Sequence, residues 1–166
     1  MKTFFLTLLL AFTCISLTHA DDSKPPRQKI ELLGLTLSGK NEKISVENLE
    51  KEFKTVESYV YDPYNKNKKT KFTGIYFTDF VKKYGKPEST KVLVKAIDGY
   101  SVETPLKLME TEKIIIAFKD ESGYLSVKRM GPIRVIYPIN TLISKENLLR
   151  IGLHWVWQVK SIEFKK

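Results

Sequence analysis

A handful of side chains carry whatever chemistry this chain can do, and Arg134 comes first. It heads the apolar stretch of "GPIRVIYP", just behind a Gly-Pro pair that fixes its approach. A guanidinium is planar and always charged, and its fork of donors can grip a phosphate or carboxylate through two parallel hydrogen bonds. Arg134 is therefore either a solvated strand-end residue, a holder of a loop carbonyl or carboxylate, or a charge pointed into a cleft to hold an anion. His154 could serve as a base, yet it sits in "HWVWQV" with no acidic residue beside it, where a lone histidine also suits packing. Trp155 and Trp157, two residues apart on one strand face, either wall a ligand pocket or cap a core. The run "NKNKKTK" (65–71) reads as a polyanion contact or as a solvated hairpin tip.

The familiar catalytic arrangements are missing. The sequence holds no serine elbow, no glycine-rich phosphate loop, no His-x-x-x-His and no close carboxylate pair in an apolar setting. The first twenty residues, "MKTFFLTLLLAFTCISLTHA", read as a secretory leader: Lys2, an apolar run too short for a membrane span, then Thr18-His19-Ala20 before Asp21. Its removal takes Cys14 and His19, leaving no cysteine and only His154. Disulfides, thiolate metal sites and multi-histidine zinc sites are thereby excluded from the mature chain. The net charge of +9 falls to +8 with the loss of Lys2, a balance that suits anionic partners and also serves solubility. The expectation is a periplasmic or secreted monomer, without stable membrane insertion and with no nucleic-acid partner.

About 146 mature residues make one domain. "DDSKPPRQ" (21–28) reads as a flexible tether, and 29–166 as the domain. "KIELLGLTLSGK" predicts a strand and turn. In "ISVENLEKEF" Ser45 caps a short helix, and "KTVESYVYDPY" predicts a strand. "FTGIYFTDFVKKYGKP" predicts a two-turn helix capped by Thr78, with Phe80, Val81 and Tyr84 on one face. "KVLVKAIDGYSVETPL" is a hairpin turning at Asp98-Gly99, a dipeptide whose turn geometry accounts for it without any functional role. A buried strand from Ile114 to Phe118, a turn at 121–123, the strand "IRVIYP", a helix from a Ser144 cap to a Gly152 stop, and a terminal strand "HWVWQVKSIEF" complete the reading. Strands outnumber short helices, so the class is α+β on a mixed or antiparallel sheet.

The order of "FTGIYFTDFVKKYG", "VLVKAIDGYSVETPL", "IIIAFKDESGYLSVKRMGPIRVIYP" and "WVWQVKSIEF" resembles the molybdopterin-binding domain of the sulfite oxidase family, from about Ile30 to Phe164. The resemblance implies an α+β fold whose deep cleft holds a pterin phosphate and a metal, with Arg134 reaching into that cleft. It also implies a molybdenum-ligating cysteine upstream of the Thr-Gly helix, and "KTVESYVYDPYNKNKKTKFTG" has none. Glu57, Ser58 and Asp62 are the other conceivable ligands there. Where the family often has a histidine, five residues before the motif arginine, Arg129 stands, a second positive charge near the same mouth. Where it has a lysine before the terminal tryptophan, Val156 precedes Trp157.

These residues lead to the expectation of a non-catalytic binding or accessory module. It would carry no cofactor and present its cleft to a small anionic ligand or a partner protein. Arg134 and Arg129 would be the charge anchors; Tyr61, Tyr100, Trp155 and His154 would complete the site. The alternatives are a molybdopterin-dependent oxidoreductase with a non-cysteine metal ligand and a polyanion-binding surface protein.

Overall fold

The structure, a computed structural model, describes residues 23–139, 141 and 144–166. The leader on which the export expectation rests lies outside the described residues. Of the tether, Pro25 and Pro26 are half-buried and line a cavity with Tyr124, Leu125 and Pro132.

The chain begins with an antiparallel pair, β1 (Lys29–Gly34) and β2 (Glu42–Ser45), with Ile30, Leu32 and Ile44 turned inward. Ser45 then caps α1 (Val46–Glu52). Its Oγ accepts the Asn48 N–H at 3.2 Å, and the Asn48 side chain accepts the Ser45 N–H at 3.3 Å, a reciprocal box that satisfies two otherwise orphaned donors.

β3 (Val56–Asp62) and β4 (Lys68–Tyr76) form the next hairpin. Here the cationic run differs from its reading as a loop, because Lys68–Lys71 belong to β4. Period-2 alternation explains it: Thr70 and Phe72 go to the core while Lys69 and Lys71 stand opposite Tyr61 and Tyr59. α2 (Phe77–Tyr84) follows β4 directly. Its cap position is Tyr76 rather than Thr78, since β4 pairs with the neighbouring strand up to Tyr76 and the Phe77 N–H donates to Ile114 O at 2.9 Å.

The Asp98-Gly99 hairpin joins β5 (Lys91–Ala96) to β6 (Ser101–Pro105), with Gly99 at φ +92 as the turn requires. α3 (Leu106–Glu112) was not anticipated; Pro105 occupies its cap position and Met109 is its buried anchor. After it come β7 (Ile115–Asp120), β8 (Gly123–Tyr124), a 3-10 turn at Val127–Arg129 and β9 (Arg134–Ile136). Then follow α4 (Lys145–Ile151), a second 3-10 turn at Gly152–His154 and β10 (Val159–Lys165). The terminal strand thus starts at Val159 and not at His154. Only an isolated bridge, Val156 to Val135, extends pairing upstream, and Gln158 at φ 50 breaks the strand.

Two sheets result, ordered β2-β1-β10-β5-β6 and β3-β4-β7-β8, with β9 also paired to β7. β1 and β10 run parallel and the other pairs antiparallel. The expected α+β class with mixed sheet and short helices is what the chain forms. One apolar cluster joins both sheets and the helices, with Phe72, Phe77, Phe80, Phe118 and Phe164 among its fully buried members.

Candidate functional site

β9 places Arg134 opposite Ala117 of β7, and the residue is 4% exposed. A buried guanidinium needs a counter-charge. Asp62, at the end of β3 and 1% exposed, supplies it: Arg134 Nη2 donates to Asp62 Oδ2 at 3.0 Å, while Asp62 Oδ1 accepts the Tyr64 N–H at 3.0 Å. Two rings enclose the charge, Phe72 with its centroid 4.9 Å from the Arg134 Cζ and Trp155 at 5.7 Å. Burial holds the Arg134 guanidinium below its usual range, and the Asp62 carboxylate pulls against that shift.

Arg134 also lines a cleft of about 250 Å³ bounded by the β3–β4 turn, the β7–β8 turn and the first 3-10 turn. Lys68, Lys128 and Arg129 line the same cleft, together with the acids Asp62, Asp120 and Glu121. Arg129 donates to the Asp120 carboxylate and to Tyr124 O. Lys68 Nζ is 3.9 Å from Glu121, which also accepts the Lys71 N–H at 3.0 Å. Lys128 is exposed at the edge. Four cations and three carboxylates thus converge from segments far apart in sequence, three of the cations paired with a carboxylate of the same cleft.

No family profile and no curated protein matches the chain. Among solved structures, the sulfane dehydrogenase SoxCD from Paracoccus pantotrophus is similar at a TM-score of 0.57 and 16% sequence identity, over 82% of this chain and 37% of that one. The likeness is one of fold, and a distant one. The chain accounts for well under half the length of that protein.

Of the residues singled out in the sequence, the fold brings Arg129 and Arg134 into one cleft and sets the Trp155 ring against Arg134. Tyr100 and Trp155 line a second cavity, and Tyr100 donates its hydroxyl to Leu153 O at 2.7 Å. Tyr61 is half-buried and alternates with the inward-facing Val60 and Asp62, so it points to the opposite face of β3. The sequence reading passed over Phe72, Tyr64 and Lys128, and named Asp62 only as a conceivable metal ligand. The turn-forming "YDPYN" was the one local signal for Asp62.

The three conceivable non-cysteine metal ligands do not converge. Glu57 is exposed and holds Lys71 at 3.0 Å, Ser58 lines a different cavity with Glu57, and both Asp62 oxygens are engaged. Among the described residues no group of three or more His, Cys, Asp or Glu side chains could hold a metal ion. Among the described residues, none of the three offers a free oxygen to the cleft that Arg134 lines.

His154 lies in neither cavity lining. Its Nδ1 shares a hydrogen bond with Thr104 Oγ1 at 2.9 Å, the direction set by the tautomer, and its ring is 6.3 Å from that of Tyr137. Burial lowers its pKa from the ordinary value of 6.5. Above that value the imidazole is neutral whether folded or not; below it the unfolded chain takes up the proton more readily, so stability falls on acidification. Thermal melts between about pH 7 and pH 5 should show a steeper loss for the wild type than for His154→Gln. Parallel curves would remove His154 as the cause.

Proposed function

We propose that the chain is a non-catalytic binding or accessory module on a sulfite oxidase-type molybdopterin-binding fold, exported from the cell, and that its cleft takes a small oxyanion. The observation that carries this reading is the convergence of Lys68, Lys128, Arg129 and Arg134 on one cleft of about 250 Å³. Arg134, bound to Asp62, serves as a fixed positive floor; Lys128 and Arg129 at the edge meet the ligand. A surplus of one cation over the cleft carboxylates, on a chain of net charge +9, draws in an ion of the size of phosphate or sulfate. The absence of a cysteine in "KTVESYVYDPYNKNKKTKFTG" supports a binding role over an oxidative one.

Titration calorimetry with phosphate and with sulfate tests the cleft. Lys128→Glu, at an exposed position, should weaken binding by roughly tenfold or more without moving the melting temperature. Unchanged affinity in both Lys128→Glu and Arg129→Gln would reject the site. Separately, protein purified from a host that makes the pterin cofactor should carry no molybdenum. Near-stoichiometric molybdenum would overturn the non-catalytic reading.

A further inference from the structure

The second cavity, of about 320 Å³, opens between the β5–β6 turn, α4 and the Gly152–His154 turn. Four aromatic rings, Tyr64, Tyr100, Trp155 and Trp157, line it together with aliphatic side chains of α4 and the following turn. They are fixed in place. Tyr64 meets the Trp157 ring edge-on at 4.8 Å and donates its hydroxyl to Gly152 O at 2.9 Å, and Tyr100 is held by Leu153 O. Rings tied to backbone carbonyls leave a preformed space, at the lower end of the roughly 300–1,000 Å³ common for ligand pockets.

Leu149 and Leu153 are 77% and 56% exposed at its mouth, an apolar rim on a chain otherwise rich in lysine. Among the described residues no Lys or Arg lines the cavity, and Asp98 is the one carboxylate that does. That lining disfavours an anion, in contrast to the cleft above. A second observation concerns hydrogen bonding. Trp155 is 2% exposed and lines the cavity, yet its Nε1–H has no acceptor among the described residues. A buried indole N–H normally finds a partner, and leaving it without one is costly.

We propose that this cavity binds a small uncharged ligand with an aromatic or branched apolar body and a carbonyl or hydroxyl oxygen that accepts the Trp155 Nε1–H. The body stacks among the four rings and covers Leu153; the oxygen satisfies the buried donor. This site goes beyond the oxyanion cleft, with which it shares no lining residue.

The chain provides its own reporter, since its only two tryptophans both line the cavity. In an isotope-labelled N–H correlation spectrum the two indole signals are assigned with Trp157→Phe. Three probes of similar shape are then titrated: methyl naphthyl ketone, ethylnaphthalene, which lacks the acceptor, and naphthoate, which is charged. The ketone should move the Trp155 indole proton downfield saturably and bind roughly tenfold tighter than either of the others. Leu153→Asp should weaken it by a similar factor while the protein stays folded, and Lys128→Glu should leave it unchanged. The proposal is overturned by the absence of a saturable shift, by equal binding of all three probes, or by self-association that buries the leucines against a second copy.

Discussion

Arg134→Ala is expected to lower stability by about 3–5 kcal/mol, a fall in melting temperature on the order of 10 °C. The reason is Asp62. With the guanidinium gone, a carboxylate that is 1% exposed would keep one neutral backbone donor and lose the salt-bridge partner it has among the described residues. The contacts of the guanidinium with Phe72 and Trp155 would go as well, leaving a void against both rings. Asp62→Ala should cost a comparable amount by stranding the arginine. The double replacement Arg134→Met with Asp62→Leu should be much less harmful than the two single losses added together, because no charge is then left buried alone. Urea melts of the four proteins measure this directly. Additive losses would mean that the pair is not coupled and that Arg134 faces the cleft rather than Asp62.

Gly74→Ala is expected to be nearly as damaging, roughly 3 kcal/mol, although it adds one methyl group. A Cβ at Gly74 would lie 2.1 Å from Ile116 O and 2.7 Å from the Ala117 Cα, both backbone atoms of β7 that cannot rotate aside. The β4–β7 register shifts between Thr73 and Gly74, and the backbones there leave no room for a side chain. The substituted protein should melt earlier, and amide exchange in β4 and β7 should speed up more than in the sheet around β10. Wild-type stability in Gly74→Ala would show that the strands can part at no cost.

Both effects concern positions whose residue types were visible in the sequence and whose reasons were not. "FTG" carried Gly74 as part of a resemblance, and only the pairing of β4 with β7 shows why a side chain is excluded. Arg134 was singled out as an anion grip. Its main engagement is with Asp62, 72 residues away, a separation at which no periodicity or turn signal operates. The same holds for the aromatic cavity, where Tyr64 meets Trp155 and Trp157 from a distant part of the sequence. The α3 helix passed unnoticed because its seven residues bury only Met109 and therefore show little helical apolar pattern.

What the sequence determined by itself is local. Asp98-Gly99 with alternating valines specified a hairpin, Ser45 before an apolar helical face specified a cap, and the apolar run at 114–118 specified a central strand. In each case neighbours within a few residues supply the interaction energy. The tertiary structure alone decided which charges meet, which face of β3 is buried, and where the terminal strand begins. Those outcomes depend on desolvation, and a group is desolvated only when distant segments close over it. Asp62 closing on Arg134 is the clearest instance: two ordinary surface residue types in the sequence become, once the sheet brings them together, the buried ion pair on which the cleft is built.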